Sequence, residues 1–295
     1  MFVFFNIAEV AALPRVVPKQ QLPQASAQNE AAFAAANIVG PSVGTLLYQG
    51  LGRAAPFVAD AISYIASVVS LALIRTPFRA APAAPAKLNL RREIAEGLRW
   101  LWSQPLIRYM AFLTGSINLV NAGTTLIVIL LAQDLGARPV DIGLIFSIGG
   151  IGGILGSLLG ARVQKRYSFG QAIITLIWIQ ALLFPLYALV PRYLLLGVVF
   201  ALLYFIGPIY NVVQFSYRLA LIPDALQGRV NSTFRLLAFG MMPIGAALSG
   251  LLIERVGVLA AVVVFSLWYL FLAIMTTLNA WVRAAAPLTE LKDSI

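Results

Sequence analysis

Four ionisable side chains of this 295-residue chain sit in or beside long apolar runs: Glu9, Glu30, Asp60 and Arg235. An ionisable group in lipid is costly and is a functional candidate by default. A carboxylate there exchanges protons or binds a cation, and an arginine binds an anion or closes a gate. These four are therefore the candidates for coupling or gating. Each also has a structural reading. Glu9 is shallow and near Arg15, so it can snorkel. Glu30 and Asp60 fall in the first turn of apolar segments, where the helix dipole favours a carboxylate. Arg235 lies one turn inside its segment, within reach of Asp224 or a lipid phosphate.

A second set is polar and neutral. Asn118, Asn121 and Thr125 follow the i, i+3, i+7 spacing and share a helix face. Tyr204 and Asn211 are seven apart, with Gln214 close by. Such groups either line a substrate cavity or tie helices together, at about 0.6 kcal/mol per hydrogen bond. What is missing narrows the chemistry further. Cys and His are both absent, which excludes thiol and imidazole catalysis, disulfides and the usual zinc sites. A membrane-embedded enzyme would need an acidic pair, yet the 11 acidic residues lie mostly in loops or at helix ends. No Walker motif is present. No enzymatic activity, cofactor or metal is expected.

The elements that position these residues are apolar helices. Hydrophobic residues make up 60% of the chain and charged residues only 11%, against about 25% charged in a soluble domain. Eight segments are long and apolar: 27–51, 56–75, 106–132, 142–161, 171–190, 193–216, 231–253 and 257–282. Most are long enough for a hydrocarbon core about 30 Å thick, and unpaired backbone groups in lipid make them helices. Pro185, Pro208 and Pro243 should kink three of them. Met1–Leu13 is too short to span and reads as the last half of a further helix. It has no basic leader and Glu9 interrupts it, which argues against a signal peptide. The expected fold is an all-α polytopic membrane protein with eight full transmembrane helices plus a partial one at the N-terminus.

The net charge of +10 could suggest nucleic acid, but the basic residues are scattered singly between apolar blocks. No nucleic-acid partner is expected. Alternating sides from Arg15 onward puts 17 Lys and Arg residues on one side and four (Arg53, Arg138, Arg192 and Arg255) on the other. By the positive-inside rule the rich side, with the C-terminus, is cytoplasmic. Within the longest connection, 76–105, the first half is Pro- and Ala-rich. From Leu90 to Trp102 the pattern predicts an amphipathic helix along the cytoplasmic interface.

Val17–Leu51 matches Leu219–Ile253 at an offset of 202 residues, with Asn29 on Asn231, Ala36 on Ala238, Pro41 on Pro243 and Leu46 on Leu248. Both copies run outward from the cytoplasm, as in a parallel repeat of two six-helix halves. The expected domains are then 1–75, the remnant of an N-terminal half (end of its fourth helix, fifth and sixth helices); 76–105, the linker; 106–283, a complete C-terminal half; and 284–295, a cytoplasmic tail. About three and a half helices would be missing from the first half. Gly152, Gly156 and Gly160 lie four apart on one face of 142–161. They permit close helix packing, either within a bundle or as a sliding surface between halves.

Several motifs resemble the major facilitator superfamily. Asn37 to Thr45, with Gly40-Pro41-Ser42-Val43-Gly44 at its centre, resembles the antiporter motif in the fifth helix of its exporters. Ala36 and Thr45 stand where the fuller pattern has glycines. Gly156 to Arg166 looks like a degenerate second-half loop motif, with Gly160 in place of its acidic member. Leu13 to Pro18 with Ala25 to Asn29, Ile222 to Asp224 with Gly228 to Asn231, and Phe57 to Tyr64 are similar to the branch containing macrolide efflux proteins and the enterobactin exporter. The resemblance implies export of drug- or siderophore-like small molecules across a bacterial inner membrane, by proton antiport and alternating access. Its cavity would be lined by the helices carrying Asn118, Asn121, Thr125, Tyr204, Asn211 and Gln214. The rival reading is a truncated membrane fragment or scaffold without transport of its own.

Overall fold

A computed structural model describes residues 36, 40, 43–44, 47–48, 50–73, 90–223 and 226–285. The chain divides into two units, Met1–Leu88 and Asn89–Ile295. The described residues are helical apart from turns and short connections, and no strand occurs among them.

In the first unit, helix α1 runs Ala55–Ala72, 18 residues, or about 27 Å at 1.5 Å per residue. Pro56 stands in its first turn, where a missing N–H costs nothing. Its serine hydroxyls are satisfied internally: Ser63, Ser67 and Ser70 donate to the carbonyls of Asp60, Ser63 and Ala66 at 2.7, 2.9 and 2.8 Å. Phe57, Ile62, Tyr64, Ile65 and Val68 of this helix are exposed. Met1–Leu13 lies outside the described residues, and the 27–51 segment is described only at its helical positions 36, 40, 43–44, 47–48 and 50–51.

The second unit begins with α2 (Leu90–Ser103), the expected amphipathic helix. Six apolar helices follow: α3 (Pro105–Asp134), α4 (Pro139–Arg166), α5 (Phe169–Leu183), α6 (Tyr193–Leu221), α7 (Gln227–Val256) and α8 (Val258–Leu278). A short helix, α9 (Ala280–Arg283), ends the described part. Among the described residues these six are the helices long and apolar enough to cross a membrane. The count of eight and a part is therefore not reached there, whereas all six spans expected after residue 105 are present.

Local chemistry explains the boundaries. At Pro185 the α-helix of α5 tightens into a 3-10 turn, Phe184–Ala188. A proline removes an N–H and collides with the preceding turn. Pro208 and Pro243 are accommodated inside α6 and α7. Gly136 and Gly257, at φ 78° and 86°, make the tight turns after α3 and α7, a conformation that glycine adopts freely. Ser168 caps α5 through a reciprocal pair with Gln171.

The six long helices pack by a simple rule. The most extensive contacts are α4 with α6 and α3 with α7, followed by α5 with α8. Exchanging α3–α5 for α6–α8 maps this set of pairs onto itself. Each set has three spans, so the second begins on the side opposite the first, as in an inverted repeat nested within one half.

The glycine face of α4 is filled by α6. A methyl on Gly152 would strike the carbonyl of Ala201, one on Gly156 that of Phe205, and one on Gly160 the side chain of Val212. These glycines thus serve packing within the second unit. The core of this unit is apolar, from Ile107, Met110 and Val120 on α3 to Phe265 and Tyr269 on α8, while Leu158, Leu182, Leu236 and Leu278 face outward.

Candidate functional site

The buried polar side chains of the second unit are spread over five helices: Thr114 and Thr124 on α3, Gln180 on α5, Gln214 and Arg218 on α6, Thr233 and Ser249 on α7, and Thr276 on α8. Asn118 donates to the backbone carbonyl of Ala238 on α7 at 2.9 Å. Asn121 accepts from the Tyr269 hydroxyl on α8 at 3.2 Å. One helical face of α3 therefore reaches two neighbours, through Asn118, which is half-buried, and Asn121, which is exposed. Thr125, the third member of that face, is exposed.

On α6 the expected trio separates. Tyr204 is exposed and tilted against the Phe200 ring at 5.2 Å, and Asn211 is exposed. Gln214 is buried. Its companions are instead Tyr210 and Arg218, four residues to either side. Spacing of four places all three on one face, and all three are buried. The Tyr210 and Thr114 hydroxyls are 2.8 Å apart, joining α6 to α3. The Arg218 guanidinium carbon lies 3.8 Å from the centre of the Phe234 ring on α7 and 5.3 Å from that of Phe215. Cation–π contact of this kind strengthens when desolvated. Gln214 Nε2 and Arg218 Nε are buried with no hydrogen-bond partner among the described residues, as is Asn231 Oδ1 on α7. Sequence reasoning missed Arg218 and Thr114. The signal for Arg218 was present: Tyr210, Gln214 and Arg218 repeat every four residues along a mostly apolar helix.

Of the ionisable candidates, Arg235 is exposed, its guanidinium 5.8 Å from the Phe239 ring. Asp224 lies outside the described residues, as do Glu9, Glu30 and Pro41. Asp60 is exposed on α1. Gly40 and Gly44 are helical, and a methyl built on either meets open space among the described residues. Among the described residues no cluster of Asp and Glu could hold a metal ion.

One end of the second unit is fastened by charge. Arg229, in the first turn of α7, bonds Glu96 of α2 at 2.9 Å and lies 3.9 Å from Glu93. Gly97 makes this approach possible, since a methyl there would sit 2.7 Å from the Arg229 carbonyl oxygen and 2.8 Å from Thr233 Oγ1. The amphipathic helix expected on the membrane surface is thus docked on α7, with Gly97 and Leu101 buried and Ile94, Leu98 and Trp102 exposed.

Compared with known proteins, residues 5–292 match the model of a family described as transmembrane secretion effector. The chain belongs to this family of the major facilitator superfamily. This secretion-effector chain is 28% identical over 288 residues to the multidrug efflux pump Tap of Mycolicibacterium fortuitum, covering 92% of its own length and 68% of that protein's. It is 26% identical over 244 residues to the enterobactin exporter EntS of Shigella boydii, covering 82% of its own length and 58% of the exporter's. EntS of Escherichia coli matches over the same extent. The chain thus spans between about half and two thirds of the length of these relatives. They are transporters rather than enzymes, and the six apolar helices make this family member a multi-pass membrane protein.

Proposed function

We propose that this protein is a secondary active exporter of small drug- or siderophore-like molecules across the bacterial inner membrane. One observation carries the reading: the family match over nearly the whole chain, with relatives named as an efflux pump and an exporter. Residues 106–283 form the C-terminal half of the transporter and residues 1–75 belong to its N-terminal half, joined by the linker 76–105. Substrate binds near the midplane between halves, and rocking alternates access. Proton antiport drives export, a reading supported by the resemblance of Gly40-Pro41-x-x-Gly44 to the antiporter motif. Glu9, Glu30 and Asp60 are the candidate carboxylates for carrying the proton, and Arg235 the candidate gating cation. The C-terminus is cytoplasmic. Arg99, Arg108, Lys165, Arg166, Arg229 and Arg283 belong to connections on one side, and Arg138, Arg192 and Arg255 to those on the other, which is the positive-inside pattern.

The test is dye efflux from cells expressing the 295-residue chain, loaded with carboxyfluorescein, Nile red or ethidium. Export of at least one dye, abolished by a protonophore, is expected. Retention of all three at the level of cells without the protein would favour the fragment or scaffold reading. Export insensitive to the protonophore would remove proton coupling.

A further inference from the structure

Gln214 and Arg218 have a property that the proposed transport cycle does not yet use. Both are 4% exposed and stand on one face of α6. Both carry a buried nitrogen donor, Nε2 and Nε, with no acceptor among the described residues. Leaving one buried donor unmet costs about 1–3 kcal/mol, and more when it is charged. Native proteins keep few such groups, and each calls for a reason.

The surroundings say what kind of group would meet them. Tyr210, one turn deeper on α6, is already engaged with Thr114 at 2.8 Å. Phe234 and Phe215 offer ring faces to Arg218, so they add apolar walls and no acceptor. The described carboxylates of this unit lie elsewhere. Glu93 and Glu96 engage Arg229, and Asp141 pairs with Arg138. Asp134 and Glu254 sit in the last turns of α3 and α7, the ends opposite the Arg218 end of α6. On α6 the described residues thus present a cation and an amide donor and no carboxylate; the other unpartnered buried atoms are Gln180 Oε1, Tyr187 OH and Asn231 Oδ1, on other elements. Two N–H donors one helical turn apart suit an oxyanion, since bonds with an ionised partner are about twice as strong as neutral ones.

We propose that Gln214 and Arg218 form an oxyanion site that takes the carboxylate of an amphipathic organic acid, with Phe215 and Phe234 packing on its apolar part. The exporter's substrates would then be anions, met at the Arg218 end of α6 before they reach the midplane. This deepens the export reading and rests on it. A lipid phosphate offers the same chemistry, so the test must separate the two sources.

The full chain is placed in phosphatidylcholine nanodiscs. Binding of para-fluorobenzoate, para-fluorobenzamide and para-fluorobenzamidine, three probes of similar shape that differ in charge, is followed by fluorine NMR. Only the benzoate should bind saturably. Arg218→Gln should weaken it roughly tenfold or more and Gln214→Met about fivefold, with Arg218→Lys recovering part of the loss. Equal binding of the three probes, or benzoate binding unchanged in Arg218→Gln, overturns the proposal. Should Arg218→Gln fail to fold, Gln214→Met and Arg218→Lys give the same decision, and no change in either overturns it. Repeating the titration with phosphatidylglycerol present identifies the source. Undiminished binding assigns the site to a soluble acid, and competitive loss assigns the same oxyanion chemistry to the headgroup, overturning the substrate assignment. Arg218-dependent benzoate binding without export of any dye would leave the site standing and remove the export reading. Equal carboxyfluorescein export by wild type and Arg218→Gln would do the reverse.

Discussion

The α4–α6 and α3–α7 seams occupy equivalent places in the second unit, yet they are held differently. Along α4–α6, glycines at 152 and 156 bring the helix against the carbonyls of Ala201 and Phe205, and apolar contact does the rest. Along α3–α7, Gly245 is set against the Leu119 carbonyl and Gly123 against Ser249, but Asn118 also donates to the Ala238 carbonyl. The α7 helix is further tied through Arg229 to α2. In lipid there is little hydrophobic force between helices, so close packing and interhelical hydrogen bonds are the two available means. One seam relies on the first and the other combines both.

The largest effect should come from overfilling the close approach. Gly156→Leu is expected to destabilise the bundle by about 3 kcal/mol, because the Phe205 carbonyl occupies the space and backbone yields poorly. Gly245→Leu should cost a similar amount on the other seam, at the Leu119 carbonyl. Gly240→Leu on α7 is the control, since nothing lies within 4 Å of a methyl there; its effect should stay within about 0.5 kcal/mol. Unfolding by SDS titration in mixed micelles measures all three. If Gly156→Leu behaved like the control, the packing account of the α4–α6 seam would fail.

Next in size is Gly97→Ala, at about 1–2 kcal/mol. A methyl at this position meets a backbone carbonyl and a hydroxyl that itself bonds Arg229 O at 2.9 Å. The expected result is looser docking of α2, read as faster amide exchange over Leu90–Ser103 with the six long helices unchanged. Uniform acceleration throughout the second unit would show instead that α2 is integral to the bundle.

Asn118→Leu separates a tie from a cavity wall. As a tie, Asn118 is worth about 0.6 kcal/mol and at most about 1.7, and its loss should lower unfolding stability while leaving dye-efflux KM unchanged. As a cavity residue it would shift KM with stability intact. Asn121, bonded to Tyr269, should follow the same rule. Thr125, which is exposed, should give no stability change.

These contrasts also mark what a single sequence could convey. The six spans after residue 105 were legible because lipid demands about 20 apolar residues each, and the α5 break was legible at Pro185. The amphipathic pattern at Leu90–Trp102 was legible as a helix, but its docking partner was not, because an apolar stripe suits a membrane surface and another helix equally well. The glycine face of α4 had the same ambiguity, and only the position of α6 decides it. The polar residues of α3 were correctly placed on one face. Their partners are what a sequence does not show: a backbone carbonyl of α7 that accepts from Asn118 and a hydroxyl of α8 that donates to Asn121. On α6 the seven-residue spacing of Tyr204 and Asn211 marks two exposed residues, whereas the buried polar face repeats every four residues through Tyr210, Gln214 and Arg218.

The smallest effect tests the charged end of the α7 seam. Arg229 and Glu96 are 38% and 46% exposed at their side chains, so water and salt screen them. A double-mutant cycle of Glu96→Gln and Arg229→Gln should return a coupling of about 0.2–1 kcal/mol. It should shrink toward zero as salt rises to 1 M, where the Debye length falls to about 3 Å. Glu93→Gln alone should do less than Glu96→Gln, because its oxygen lies 3.9 Å from Arg229 rather than 2.9 Å. The Asn118 bond inside the bundle should be unaffected by the same salt series, since ions do not reach it. A salt-independent coupling at Arg229 would mean that α2 and α7 shield the pair from solvent. The charged end of the seam would then be held as firmly as its interior.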